Sequence, residues 1–320
     1  MTTATATAEV AAPADLTFAC MGGEVRLCSP DAGALRALEA ARDWLLDAAD
    51  RLSRFVATSE LCALNDDPRP VVPASMLLRA AIRAMLRAAE RSGGLVDPTL
   101  LDDLERSGYV GSRAQALPLP LTAALALAPA RAPARPRPDA RWRRIRVDDR
   151  AATITRPPGM RLDTGATGKG LLADVLARRL WRLQSVAIDC GGDVRIAGRG
   201  TRAQPHEIEI VGPLSERVAA RLWLGDGAIA TSGLDRNVWR TPGGGVAHHL
   251  LDPSTGLPAW TGLVGATAIA PTALDAETLA KTALLRGAGP ARALLGAHGG
   301  VLFFEDGGVE AVGLPEAILR

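Results

Sequence analysis

The sequence predicts an α+β fold, and three observations carry that reading. Strand-like and helix-like segments mix without a regular βαβ alternation, which argues against a doubly wound sheet. A helix-rich first part gives way, past a proline-punctuated stretch at 111–139, to a mixed, strand-rich second part. Apolar residues make up 48% of the 320, ample for a buried core.

Residues 1–14 are rich in Ala and Thr and are expected to be disordered. Thr17–Leu27 reads as one strand kinked at Met21-Gly22-Gly23. From Asp31 to Arg54 the apolar residues Leu35, Leu38, Leu45, Ala49 and Leu52 recur at helical spacing. Asp31 after Pro30 suits the N-cap. Ser59–Asn65 is a short helical turn. Pro73–Ser92 is a second helix, stopped by Gly93-Gly94. Six prolines between Pro118 and Pro138 mark 111–139 as a long surface loop or extended insertion. Arg141–Val147 and Ala152–Thr155 alternate as a hairpin around Asp148-Asp149.

A strand at Met160–Leu162 leads into the glycine-rich Asp163–Gly170 and a helix at Leu171–Leu183. Ser185–Ile188 is a buried strand running into Asp189-Cys190-Gly191-Gly192-Asp193. Strands fit His206–Val211, Arg221–Leu224, Ala228–Thr231 and Leu263–Ala270, and a helix fits Asp275–Leu285.

Composition excludes several classes of function. A formal net charge of +2 leaves no electrostatic footprint for nucleic acid. The arginines of Arg131–Arg150 are interleaved with Pro and Ala, as in a solvated loop and strand edge. The four cysteines are scattered with no C-x-x-C, so neither a structural zinc site nor an oxidising compartment is implied. No basic residue precedes Arg26 and no apolar core follows one, so no secretory signal is legible. No apolar run is long enough to span a membrane. The expected compartment is the cytoplasm.

Four segments carry chemistry. Asp163-Thr164-Gly165-Ala166-Thr167-Gly168-Lys169-Gly170 lies between a strand and a helix. Glycines there let backbone N–H groups approach a phosphate, and the helix N-terminus favours an anion. It is not a Walker A motif: Asp163 stands where the first glycine would fall, and Gly170 where the magnesium-binding Ser/Thr would be. The second segment is the Gly191-Gly192 pair after a buried strand, which permits a sharp turn or close ligand approach. The third joins Thr231-Ser232-Gly233 to His248-His249-Leu250-Leu251-Asp252-Pro253, which places a histidine at a loop edge where a general base can work. The fourth is the helix with Thr278 and Thr282 at i, i+4 and a second such pair, Glu277 and Lys281, in the favourable order. By itself that pair reads as an exposed ion pair. Of the 37 basic residues, Lys169 and Lys281 alone are lysines, and both fall in these segments.

In this order and spacing the segments resemble the ApbE-type FAD:protein FMN transferases, from about Phe18 to Leu295. Further matching pieces are Ala19–Gly22, Leu52–Phe55 with Ser59–Leu61, and Gly94-Leu95-Val96-Asp97-Pro98-Thr99. The resemblance implies a single domain over 15–320, with a mixed sheet, flanking helices and an FAD cleft between two lobes. It implies cleavage of FAD and transfer of FMN through a phosphoester bond to a Thr or Ser hydroxyl of an acceptor flavoprotein, with release of AMP. The acceptor would carry a Ser/Thr-Gly-Ala-Thr-type site. By position, Met21 would pack on the flavin, and Leu95, Val96 and Asp97 would line the FAD pocket. Asp163 and Lys169 would contact FAD, the Ala166 carbonyl would face magnesium, His249 would be the base, and Leu251 would touch the cofactor. A lysine at roughly 4 Å from a phosphate charge contributes about 4 kcal/mol at an effective dielectric near 20, before desolvation.

One departure matters. Such enzymes hold Mg²⁺ with an Asp and, four residues on, a Thr. Thr282 matches the Thr, but Thr278 stands where the Asp belongs, and a neutral hydroxyl is a poor substitute for a carboxylate ligand. Lys281 could instead supply part of the metal's charge, so metal dependence is expected to be weak or altered. The alternative functions are a non-catalytic FAD-binding homologue and an FAD pyrophosphatase giving FMN and AMP.

Overall fold

The computed structural model describes residues 13–111, 119–201, 205–215, 217–241 and 244–314. The architecture is α+β, as expected. Its centre is an eight-stranded sheet: β1 (Ala14–Cys20), β2 (Gly23–Ser29), β3 (Val186–Cys190), β4 (Val194–Ala197), β5 (Gly227–Gly233), β6 (Leu263–Ala270), β7 (Gly300–Phe304) and β8 (Val309–Val312). These strands lie side by side in chain order, and every neighbouring pair is antiparallel. Helices and small hairpins are inserted in the connections.

The kinked strand expected at Thr17–Leu27 is instead the β1–β2 hairpin, closed by Met21 and Gly22 with φ of 52° and 73°. Two consecutive left-handed residues match the twist of the flanking strands. The turn lifts Met21 out of the sheet. Of the segment expected to be disordered, residues 1–12 lie outside the described residues, and Ala14 already begins β1.

Among the described residues, the β2–β3 connection holds six α-helices: α1 (Leu35–Leu52), α2 (Glu60–Asp66), α3 (Met76–Arg91), α4 (Leu101–Arg106), α5 (Leu121–Leu127) and α6 (Gly168–Arg179). In α1, Leu38, Ala41, Leu45, Ala48 and Leu52 form the buried stripe. Ser59 and Ser75 cap α2 and α3 by accepting from the Cys62 and Leu78 backbone N–H groups. A short strand at 71–73, between α2 and α3, joins strands at 146–148 and 153–155, between α5 and α6, in a small separate sheet. Arg141–Arg144, expected as strand, is a 3₁₀ turn.

In the proline-rich stretch, residues 112–118 lie outside the described residues. The rest is α5 and an extended passage tied to the body. The Ala132 N–H donates to the Trp260 carbonyl, Ala134 to Leu285, and Arg135 to the Asp252 carboxylate. Because its backbone donors are used in this way, the passage forms a layer of the structure rather than a free loop.

The β6–β7 connection carries α7 (Ala273–Arg286) and α8 (Ala288–Gly296). Thr272 caps α7 by accepting from the Asp275 N–H. Every residue of α7 from Ala273 to Leu285 is buried, packed on β5, β6 and α6. The helix expected at Leu171 starts at Gly168, so Lys169 and Gly170 sit in its first turn. Gly170 lies where α6 crosses α7. A Cβ added there would stand 2.7 Å from both the Leu274 Cα and its backbone nitrogen. The cross-helix ties are polar as well. Asp174 on α6 accepts from the N–H groups of Ala273 and Leu274 at 2.9 and 3.1 Å. The Gly170 N–H donates to the Glu277 carboxylate at 3.0 Å.

This crossing yields a prediction. Gly170→Ala must push two buried backbones apart, so it should destabilise the fold by about 3 kcal/mol. Chemical denaturation of the two proteins measures it, and an unchanged midpoint would refute the crossing.

Candidate active site

A cavity of about 490 Å³ opens between the β1–β2 turn, the end of α1, the start of α6, the passage after β5 and α7. Met21, Leu95, Val96, Asp97, Asp163, Ala166, Lys169, His249 and Leu251 all line it, and so does Lys281. Thr278 and Thr282 are not on its wall. A larger, more open groove along α3 and the 3₁₀ turn holds none of these residues.

The Asp163–Gly170 turn forms the cavity's hub and is held from several sides. Asn65 clamps the preceding residue: its amide donates to the Leu162 carbonyl at 2.9 Å and accepts from the Leu162 N–H at 2.8 Å. The Asp163 N–H donates to the Pro98 carbonyl, which ties the turn to the Leu95–Asp97 wall. The Thr164 hydroxyl donates to the Leu52 carbonyl at the end of α1. Sequence reading gave Asn65 no role, and nothing in its spacing marks a residue that clamps a loop 97 positions away.

A second wall is aromatic. The Arg54 guanidinium lies over the Phe55 ring at 4.1 Å and the Tyr109 ring at 4.6 Å. Tyr109 stacks on Trp239 with centroids 5.5 Å apart. Arg54 also donates to the Tyr109 carbonyl and approaches Asp163 at 3.5 Å. Phe55 and Tyr109 line the cavity beside Arg54. No role was assigned to Arg54 or Tyr109 from sequence; that Tyr109 is the single tyrosine of the chain was the available signal.

Asp97 is buried, with Oδ1 accepting from the Thr99 N–H and hydroxyl, while Oδ2 has no partner. Burial pushes its carboxyl above the usual range. The unclaimed oxygen suits a ligand that brings a hydrogen-bond donor.

The expected exposed pair of Glu277 and Lys281 is instead buried. Lys281 Nζ donates to the Ala166 carbonyl at 2.9 Å and lies 3.5 Å from Glu277 Oε1. Asp193, also buried, is close enough to Glu277, Lys169 and Lys281 to feel their charges. Burial and the Glu277 carboxylate raise its pKa, against the pull of the two lysines. Two acids and two ammonium groups thus meet beside the Ala166 turn.

These residues do not fit a magnesium ion. The Ala166 carbonyl, expected to face the metal, is occupied by an ammonium group. The Thr278 hydroxyl donates to the Leu274 carbonyl at 2.7 Å, and that of Thr282 to the Thr278 carbonyl at 2.6 Å, both within α7. Among the described residues no group of three or more His, Cys, Asp or Glu side chains could hold a metal ion.

The two adjacent histidines differ. His248 ends a short strand and is fully buried, its ring edge-on to Trp260 at 4.5 Å. Its Nδ1 accepts from the Leu250 N–H, which sets the course of the chain through His249 to Leu251. His249 lines the cavity, half-buried, with Nδ1 enclosed and without a partner. Burial, and then electrostatic interaction with a protonated His248 and with the Lys281 and Lys169 ammonium groups, lower its pKa to about 3. It is a neutral imidazole at neutral pH.

The chain matches the ApbE family over residues 15–303. It belongs to the ApbE family. The FAD:protein FMN transferase of Salmonella typhimurium is 35% identical over 125 residues, which cover 38% of this chain and 35% of that protein. The enzyme of the same name from Treponema pallidum is 33% identical over 155 residues, 45% of this chain and 42% of that protein. The chain thus spans about two fifths or less of the length of these relatives. The crystal structure of the ApbE protein from Thermotoga maritima superposes with a TM-score of 0.78 at 25% identity, covering 97% of this chain and 100% of that one. The flavin transferase ApbE from Vibrio cholerae gives 0.73 at 22% identity, over 97% and 100%. Fold and family agree with the resemblance drawn from the sequence. No helix among the described residues is long and apolar enough to cross a membrane.

His248 generates a prediction. Burial lowers its pKa from 6.5 to about 3. A depressed value favours the neutral form in the fold. This stabilisation is therefore complete above pH 6.5 and is lost as pH falls toward 3. By pH 5 the loss from this group should reach about 2 kcal/mol. Denaturation midpoints measured from pH 7 to 5 should fall accordingly, and more shallowly in His248→Gln.

Proposed function

We propose that this protein is a flavin transferase that takes FAD as substrate, cleaves its diphosphate and passes FMN to a Ser or Thr hydroxyl of an acceptor protein. The observation that carries this reading is one cavity uniting two ammonium groups, an uncharged imidazole and an apolar and aromatic wall. Its volume of about 490 Å³ lies in the range of small-molecule sites. The family membership and the names of the relatives support the same chemistry.

In this reading the acceptor oxygen bonds to the FMN phosphorus as the bond from that phosphorus to the bridging oxygen breaks. AMP leaves with the bridging oxygen, and the hydroxyl proton passes to His249. Charge grows on the bridging and non-bridging oxygens, where Lys169 and Lys281 stabilise it. A diphosphate beside both lysines also offsets the charges that depress the basicity of His249, so the imidazole becomes a better base once substrate is bound. Met21, Leu95, Val96 and Leu251 give the flavin an apolar surround, and Asp97 and Asp163 accept from its donors. The acceptor would present a Ser/Thr-Gly-Ala-Thr-type segment. Function in the cytoplasm is part of this proposal.

A second reading is favoured by the neutral Thr278: an FAD-binding protein without turnover. Incubation with FAD and a candidate acceptor separates the two. AMP together with an acceptor heavier by one FMN supports transfer, free FMN with AMP marks hydrolysis, and bound intact FAD marks the second reading.

His249→Ala should lower the rate of AMP release by about 10²–10⁴-fold, as loss of a general base does. FAD affinity should change by less than about threefold, because the imidazole is uncharged. Single-turnover kinetics alongside a flavin-fluorescence titration distinguish these effects.

A further inference from the structure

We propose that the Lys281 ammonium occupies the place of a divalent cation on the Ala166 carbonyl, and that FAD binds this site with no metal requirement. The inference rests on the FAD reading of the cavity and deepens it.

Geometry gives the first support. Lys281 Nζ is 2.9 Å from the Ala166 oxygen and 3.5 Å from Glu277 Oε1. The other Glu277 oxygen accepts from the Gly170 N–H, so the carboxylate is anchored on the partner helix. The ammonium is therefore held at the cavity wall from two directions. Lys281 and Ala166 both line the cavity, and so does Lys169.

Charge gives the second. A magnesium ion on the Ala166 carbonyl would stand within a few ångströms of the Lys281 ammonium, and like charges so placed repel strongly in a partly buried site. Thr278 is neutral, and the Glu277 carboxylate beside Lys281 is already engaged by that ammonium and by the Gly170 N–H, so it is not free to offset the repulsion. A diphosphate, in contrast, brings negative charge to two ammonium groups that already face the cavity.

Residue chemistry gives the third. In a chain that otherwise uses arginine, these two positions are lysine. An ammonium is a compact point charge with rotatable donors, closer in shape to a small cation than a planar guanidinium is. It can keep one donor on Ala166 and turn another toward a phosphate oxygen.

The test is equilibrium FAD binding to the full chain, followed by flavin fluorescence in excess EDTA and in excess magnesium chloride. The two affinities are expected to agree within about twofold. Magnesium alone should leave the melting temperature unchanged. Binding that magnesium tightens by about tenfold or more would overturn the proposal and leave the FAD reading standing. No binding in either buffer would overturn both. Lys281→Met should weaken FAD binding by about tenfold or more in both buffers, and an unchanged affinity would count against the proposal. Since Lys281→Met strands the buried Glu277 carboxylate, the paired variant Glu277→Gln/Lys281→Met keeps the Gly170 contact and carries the same test. The metal comparison on the unaltered protein decides the matter if neither variant folds.

Discussion

The close crossing of α6 and α7 at Gly170 sets the geometry of the site. The two backbones meet where any side chain on residue 170 would collide with Leu274. The Asp174 carboxylate on α6 satisfies the first N–H groups of α7, and Glu277 on α7 satisfies the Gly170 N–H. Helix N-termini buried in protein need such partners. Each helix supplies one to the other, so neither can slide without exposing unpaired groups. Lys169 adjoins Gly170 on one helix, and Lys281 is one turn beyond Glu277 on the other. The lock at the crossing therefore brings both ammonium groups to the Ala166 turn.

The enclosure of α7 has a second consequence. A helix buried all round has no solvated face on which to place charge, yet α7 carries Asp275, Glu277 and Lys281. Each is matched: Asp275 reaches Arg87 and Arg91, Glu277 reaches Lys281 and Gly170, and Lys281 reaches Ala166. Unmatched, any of them would cost several kcal/mol of desolvation. The two threonines avoid the problem by donating back to the helix, which leaves them neutral and stable without a ligand.

These constraints explain which parts of the chain are legible in its sequence. The glycine-rich turn is legible because glycines and a lysine leading into a helix form a local pattern, although Met160–Leu162, expected as the preceding strand, is irregular. The α1 stripe and the β6 limits were found because periodicity reports a one-sided or fully buried environment directly. Thr17–Leu27 was read as one strand because the left-handed turn begins at Met21, a residue type that gives no turn signal. Glu277 and Lys281 were read as exposed because an i, i+4 pair has the same spacing on any face. Polar positions are spread around α7, so no amphipathic contrast showed that the whole helix was enclosed. Asn65, Asp174 and Tyr109 act on partners distant in sequence, and no local pattern records that.

The cavity divides its cations by chemistry. The arginines at its wall are already committed. Arg54 lies across two rings and donates to the Tyr109 carbonyl, and Arg236 donates to the Gly191 carbonyl at 3.1 Å. A planar fork with several donors suits these fixed structural contacts. The lysines border the same space with charge that a ligand can use. Lys281 spends one donor on Ala166 and Lys169 stands near Gly191, where a glycine Cβ would lie 3.4 Å from its Nζ. Glycine at 191 leaves that ammonium room to turn. With Asp193 and Glu277 balancing both lysines, the protein alone can hold this charge in a buried place. An incoming anion need only redirect donors that are already positioned, and this makes the site a pre-organised receptor for a diphosphate.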